Sequence, residues 1–144
     1  MGCCVATFEG DSNSVNSMAI SADGSRLASA SDDSTARLWD SRTGACIGIL
    51  RGHSGAVQSV IFSPDGQRLA STSRATLRLW NSWKGDHIVT LVCHSDLIFS
   101  VAFPPDGLWL ASASQDGTVE SVYGIVEQGI TLPPSMRVHL PSNP

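Results

Sequence analysis

The sequence predicts an all-β fold of repeated sheets, each made of four short antiparallel strands. Three observations carry the prediction. The first is a fixed period: Leu38-Trp39-Asp40 returns as Leu79-Trp80-Asn81 after 41 residues. Ala22-Asp23-Gly24 likewise returns as Pro64-Asp65-Gly66 and Pro105-Asp106-Gly107, and Leu27-Ala28-Ser29 as Leu69-Ala70-Ser71 and Leu110-Ala111-Ser112. A chain that repeats at one spacing must be read as copies of a unit before any residue is read for chemistry. The second is alternation with period two, as in Thr76-Leu77-Arg78-Leu79-Trp80, the mark of a strand with two unlike faces. The third is composition. Charged residues are 15% of 144 and glycines number 13, which suits short strands and tight turns rather than long helices rich in Glu, Lys and Leu.

The second copy shows the unit most clearly. Val57-Gln58-Ser59-Val60-Ile61-Phe62 is a β-branched and aromatic run that ends at Ser63-Pro64-Asp65-Gly66, a strong turn signal. Arg68-Leu69-Ala70-Ser71-Thr72-Ser73 alternates and leads through Arg74-Ala75 into the strand that carries Trp80. Ser82-Trp83-Lys84-Gly85 is another turn, and His87-Ile88-Val89-Thr90-Leu91 is a fourth strand.

The order Gly52-His53, apolar strand, Ser63-Pro64-Asp65-Gly66, Leu69-Ala70-Ser71, then Asp-x-Thr at Asp33 and Asp116, and Leu38-Trp39-Asp40 resembles the WD40 repeat. Units of that family span ~40–45 residues and build β-propellers. The resemblance covers about residues 5 to 119, and its flavour is that of very regular fungal and bacterial arrays. It implies that each repeat begins with the outermost strand of one blade and continues into three inner strands of the next. Val5-Ala6-Thr7-Phe8 is then an outer strand without its own blade, and residues 48–50 and 90–92 are outer strands for blades one and two. Inner strands are expected near 15–20, 26–31 and 35–40, near 57–62, 68–73 and 76–81, and near 98–103, 109–114 and 118–122. The chain divides into an outer strand of an incomplete blade at 1–9, three repeats at 10–123, and a proline-containing tail at 124–144. The prolines at 133, 134, 141 and 144 argue against a regular final strand in that tail.

The resemblance also implies a buried chain of His, Ser or Thr, Asp and Trp that braces each blade. Ser29, Asp33 and Trp39 fill three of its places in blade one, His53, Ser71 and Trp80 in blade two, and His94, Ser112 and Asp116 in blade three. His94, Ser112 and Asp116 also have the composition of a catalytic triad. That reading fails because no G-x-S-x-G elbow is present and the same serine recurs in all three copies. Each copy lacks one member. Asp11 stands where blade one should have His, the turn Asp is missing in blade two, and Val122 stands where blade three should have Trp. An unfinished buried network costs about 1–3 kcal/mol per stranded group, so weak stability is expected.

Other functions lose ground to composition. The net charge is −4 with no run of Lys or Arg, so the footprint of a nucleic-acid binder is missing. No apolar run approaches the ~18 residues of a membrane-spanning helix, and no secretory signal stands at the N-terminus. Cys3, Cys4, Cys46 and Cys93 form no C-x-x-C pair and have no His at ligand spacing, so free thiols in a reducing, cytoplasmic setting are expected, with no metal and no cofactor. Met1-Gly2-Cys3-Cys4 invites comparison with a myristoylation signal, but Ala6 replaces the Ser or Thr that signal uses, and a strand is the preferred reading.

The expected function is a non-enzymatic scaffold or adaptor that binds proteins or peptides with its top-face loops. Candidate contact positions are those that vary between copies while their neighbours stay fixed: Asn16, Gln58 and Phe99 at one place, Asp32, Arg74 and Gln115 at another. Trp83 is read either as an exposed partner anchor or as packed on an adjacent blade. Three blades fall short of the about four to eight that close a propeller. The chain is therefore read as a fragment of a larger array, as a pair of copies joined in a six-bladed ring through residues 5–8, or as the companion of another WD-repeat chain. The alternative function is a piece of the sensor region of a fungal nucleotide-binding receptor or of a mitochondrial-division-type adaptor.

Overall fold

The computed structural model describes residues 2, 7–10, 13–92, 94–123, 125–126, 129–130 and 138–139. Three four-stranded antiparallel sheets follow one another along the chain. The first holds β1 (Val15–Ile20), β2 (Arg26–Ser31), β3 (Ala36–Asp40) and β4 (Cys46–Leu50) in that order. The second holds β5 (Ser59–Phe62), β6 (Arg68–Ser73), β7 (Thr76–Asn81) and β8 (His87–Val92). In the third, β9 (Ile98–Ala102), β10 (Trp109–Ser114) and β11 (Val119–Tyr123) are followed by a short pair, β12 (Ile125–Val126) with β13 (Gly129–Ile130). The fourth lane of that sheet is filled by β14 (Val138–His139).

The recurring dipeptides make the recurring turns. Between β1 and β2 the Asp23 carboxylate accepts from the Ser25 amide at 2.9 Å and from the Ser21 hydroxyl at 2.7 Å, while Gly24 takes φ 73°. Asp65 repeats this with the Gln67 amide at 2.9 Å and the Ser63 hydroxyl at 2.6 Å, and Asp106 with the Leu108 amide at 3.0 Å. The residue after the repeated Trp closes the other hairpin. Asp40 accepts from the amides of Arg42 and Thr43, and Asn81 from those of Trp83 and Lys84, all at 2.9 Å. A short polar side chain that satisfies turn amides is the reason Asp or Asn must follow Trp there. A register shift sits beside each of these tryptophans, between Leu38 and Trp39 against β4 and between Leu79 and Trp80 against β8.

Successive sheets pack face to face, the trailing face of one on the leading face of the next. Ala28, Ala30, Ala36 and Leu38 on the trailing face of the first sheet pack on Val57, Val60, Leu69 and Trp80 at the leading side of the second. Leu77, Leu79 and Leu91 of the second sheet pack in turn on Ile98, Val101 and Leu110 of the third. Each large side chain so covered contributes about 1.5–3 kcal/mol. The seams are stitched by backbone bonds, Val57 N–H to Ser31 O at 2.9 Å and Ile98 N–H to Arg74 O at 2.7 Å.

The outer lanes follow the expected offset, since β4 and β8 lie in segments that open the next repeat. Two expectations need correction. Thr7 and Phe8 are not in a strand, and Val5 and Ala6 lie outside the described residues. The tail was expected to hold no regular strand, yet β14 pairs with β11 through Glu120↔His139 and Ser121↔Val138. The prolines flank this two-residue pairing instead of entering it, which a sheet edge tolerates. β5 also begins two residues later than expected, at Ser59.

Candidate functional site

Buried hydrogen bonds in each of the three sheets and one exposed surface involve the residues singled out above. In the second sheet the Trp80 indole donates to the Ser71 hydroxyl at 2.8 Å, and that hydroxyl lies 2.7 Å from His53 Nε2. With Ser71 donating to Nε2, the ring proton sits on His53 Nδ1. That atom is buried and has no hydrogen-bond partner among the described residues. The connection Arg74-Ala75 is one residue shorter than its counterparts and brings no carboxylate to it. Burial, reinforced by the charges of Arg78 and His87, pushes the His53 pKa down to about 4.

The third sheet has the carboxylate that the second lacks. His94 Nε2 lies 2.8 Å from Ser112 Oγ, and His94 Nδ1 is 3.0 Å from both Asp116 Oδ2 and Thr118 Oγ1. Asp116 also accepts from the Ser95 amide at 3.1 Å and from the Thr118 hydroxyl at 2.5 Å. These bonds, the Thr118 hydroxyl foremost, hold its carboxyl well below the usual range. In the first sheet Trp39 donates to Ser29 at 3.0 Å, and Asp33 accepts from the Thr35 hydroxyl at 2.5 Å, while Asp11 lies outside the described residues. Ser29, Ser71 and Ser112 are all buried, so none presents a nucleophile to a substrate.

The six candidate contact positions lie at one end of the sheets and all are exposed. Asn16, Gln58 and Phe99 stand at or just before the starts of β1, β5 and β9, and Asp32, Arg74 and Gln115 in the turns that follow β2, β6 and β10. They are not equally free. Asn16 donates to Asp32 at 2.7 Å and to Val57 O at 3.0 Å, so that pair is committed to the seam between the first two sheets. The Arg74 side chain lies over Gly55, where an added Cβ would meet its Nε at 2.8 Å. Phe99 is 65% exposed, and Leu97 beside it is 41% exposed.

Sequence reasoning missed Arg26. Its buried guanidinium donates to Ser82 O at 2.7 Å, to Ser82 Oγ at 2.6 Å and to Gly66 O at 2.7 Å, joining the first sheet to the second. It also stacks on Trp83, so that aromatic packs on the adjacent sheet while remaining half exposed. The available signal was the repetition of Arg26 as Arg68 and of Ser41 as Ser82. An apolar pocket of ≈ 400 Å³ lies between the innermost strands, lined by Ile20, Ile61, Phe62, Val101 and Phe103 among others, with no carboxylate or imidazole. Among the described residues no cluster of His, Cys, Asp or Glu is suited to a metal ion.

Known proteins share this architecture. The solved structure described as the RRP9 WD40 repeats superposes with a TM-score of 0.80 at 25% identity, covering 86% of this chain and 39% of that one. That of U3-55K superposes with a TM-score of 0.83 at 24% identity, covering 94% and 41%. The vegetative incompatibility protein HET-E-1 of Podospora anserina is 54% identical over 41 residues, which is 28% of this chain and 3% of that protein. The chain thus spans about two fifths of the solved relatives and a small part of the curated one. The WD domain, G-beta repeat family matches residues 2–40, 44–81 and 85–120, and with three repeats in register over most of its length the chain belongs to the WD40 family.

Proposed function

We propose that the chain is a non-enzymatic interaction module that binds other proteins or peptides through the surface carrying Gln58, Arg74, Phe99 and Gln115. One observation carries this reading. The positions that differ between repeats whose neighbours recur are gathered, exposed, at one end of the sheets, and Phe99 is 65% exposed among them. A regular frame that holds variable side chains at one rim is the arrangement by which a scaffold recognises partners without chemistry of its own. The buried serines and the apolar lining of the pocket support the non-enzymatic part. Cysteine usage supports work in a reducing, cytoplasmic setting.

Affinity capture with the purified chain tests the surface, comparing wild type with Arg74→Ala and Phe99→Ala. Loss of a bound protein in either variant supports the assignment, and identical recovery from all three refutes it. A second reading is favoured by the 54% identity to a stretch of HET-E-1. On it, the repeats serve as a sensor segment within a larger receptor, and their partner-binding surface is the same.

A further inference from the structure

We propose that the rim of the second sheet binds the side-chain carboxylate of an acidic residue on a partner peptide, received by His53 Nδ1, the Ser54 amide and Arg78. This rests on the reading of the rim as a partner-binding surface and names the group the partner brings. In the third sheet Asp116 Oδ2 lies 3.0 Å from His94 Nδ1 and accepts from the Ser95 amide at 3.1 Å. Its Oδ1 accepts from the Thr118 amide at 2.9 Å and the Thr118 hydroxyl at 2.5 Å. In the first sheet Asp33 Oδ1 accepts from the Thr35 amide and hydroxyl, and its Oδ2 lies 3.9 Å from Arg37. The second sheet keeps the donors as His53, Ser54, Thr76 and Arg78, but its turn has no acid.

Two of the side chains beside that turn are buried without an acceptor. Trp80 donates to Ser71, whose own proton goes to His53 Nε2, so Nδ1 carries a hydrogen. His53 is 7% exposed, and its Nδ1 meets no hydrogen-bond partner among the described residues. Ser73 is 1% exposed, and its Oγ is likewise unpartnered. Its counterpart Ser114 Oγ accepts from the Asp116 amide at 3.1 Å and donates to Asp96 O at 3.1 Å. The Thr76 hydroxyl donates to Ser73 O at 2.8 Å, where Thr35 and Thr118 donate to carboxylates. Buried donors without acceptors are rare and costly, and two of them stand together here.

Charge and access point the same way. The Arg78 guanidinium lies over Gly52 beside that imidazole, and the Arg74 guanidinium lies over Gly55. Among the described residues neither arginine is in an ion pair, although the chain as a whole carries a net charge of −4. The acids of the neighbouring turns are committed, Asp32 to Asn16 and Asp116 to His94. The side chains of Asp33 and Asp116 are each 11% exposed, so the place they fill opens on the rim. Ser54 and Arg74, which flank the same place in the second sheet, are exposed. The frame suits a carboxylate, since both neighbouring sheets hold one there, and hydrogen bonds to an ionised acceptor are the strong ones.

The test is heteronuclear NMR on the full chain at neutral pH and fixed ionic strength. It is titrated with the acetylated, amidated peptide Gly-Asp-Gly, with its Gly-Asn-Gly analogue, and with inorganic phosphate. The acidic peptide is expected to move the His53 ring N–H and the Ser54 amide saturably. It should bind at least about ten-fold more tightly than the amide analogue, the worth of one charge-assisted hydrogen bond. Arg78→Ala should weaken binding about two- to five-fold, the scale of one exposed ion pair. Replacing Arg74-Ala75 with Gln-Asp-Gly should abolish the response, because the chain's own acid then takes the donors. Equal binding of the two peptides, tighter binding of phosphate, an unaltered response in Arg78→Ala, or full binding by the replaced turn would each overturn the proposal. No response to the acidic peptide, alongside a captured partner lost in Phe99→Ala, overturns this inference and leaves the partner-binding reading standing. A response alongside identical capture by wild type, Arg74→Ala and Phe99→Ala supports the acid site and overturns the wider surface.

Discussion

The Arg26 guanidinium carbon lies 3.5 Å from the centre of the Trp83 ring, although the two residues belong to different blades. The same group donates three hydrogen bonds to Ser82 and Gly66, so a charged side chain is matched by carbonyl and hydroxyl oxygens on one flank and a π face on the other. Removing it takes that donor from the buried Ser82 carbonyl, while the Gly66 carbonyl keeps the Ser82 hydroxyl. Arg26→Ala is expected to cost about 2–3 kcal/mol in urea denaturation, given the usual worth of hydrogen bonds to charged groups. Arg26→Lys should recover less than half of that, since an ammonium cannot reproduce the planar fork or the stacking. Trp83→Ala should cost only about 1 kcal/mol, the scale of a partly exposed cation–π contact.

The brace in the second blade is one carboxylate short, and the third blade shows what would complete it. Replacing Arg74-Ala75 with Gln-Asp-Gly, the sequence at 115–117, restores the loop length and sets an acid toward His53 Nδ1. The graft is expected to stabilise the fold by about 1.5–3 kcal/mol, the scale of one hydrogen bond to a charged group. A fall in the chemical denaturation midpoint would contradict this account of the unpaired nitrogen.

His53 also sets a pH dependence whose sign is fixed. Its folded-state pKa of about 4 lies below the unfolded value of 6.5, so the unfolded chain binds the proton more readily. The contribution is complete above pH 6.5 and is lost as pH falls through 4. Wild type should therefore lose thermal stability between pH 6.5 and 4.5, and His53→Gln should lose less over that interval, with scanning calorimetry as the readout. The depressed carboxyls of Asp23 and Asp116 act only at more acid pH and leave this window to the imidazoles.

Gly52 precedes that histidine with φ 132°, a backbone conformation that a side chain resists, and an added Cβ would run into the Arg78 guanidinium. Gly52→Ala should cost about 1–3 kcal/mol, the range for strained backbone, measured as a drop in the urea midpoint. By contrast, Gly48 has open space around its Cβ position, so Gly48→Ala serves as the near-neutral control.

Local chemistry explains which parts of this fold were legible in the sequence. The bounds of β1, β2, β6, β7 and β10 follow from Asp-Gly turns and alternating faces, whose causes lie within a few residues. The hydrogen bonds of His53 with Ser71 and of His94 with Asp116 were legible through the resemblance to the WD40 repeat, which implies a buried brace at those positions. β14 was not, since its pairing depends on the free edge of β11, some 18 residues earlier, and two residues carry no pattern. Arg26 was not legible as a clasp because its partners stand 40 and 56 positions away. Asn16 and Asp32 were read as open contact positions, and their mutual hydrogen bond could be seen only once β1 and β2 were paired.

The outer lanes β4 and β8 belong in sequence to the repeat that builds the following sheet. In a gene, this offset makes the array tolerant of recombination. An in-frame loss of one period, 41 or 42 residues according to where its ends fall within the repeats, joins a strand position to its equivalent and leaves every remaining sheet with four lanes. Copy number can thus change without any junction having to be chosen, and the unit that is inherited need not be the unit that folds.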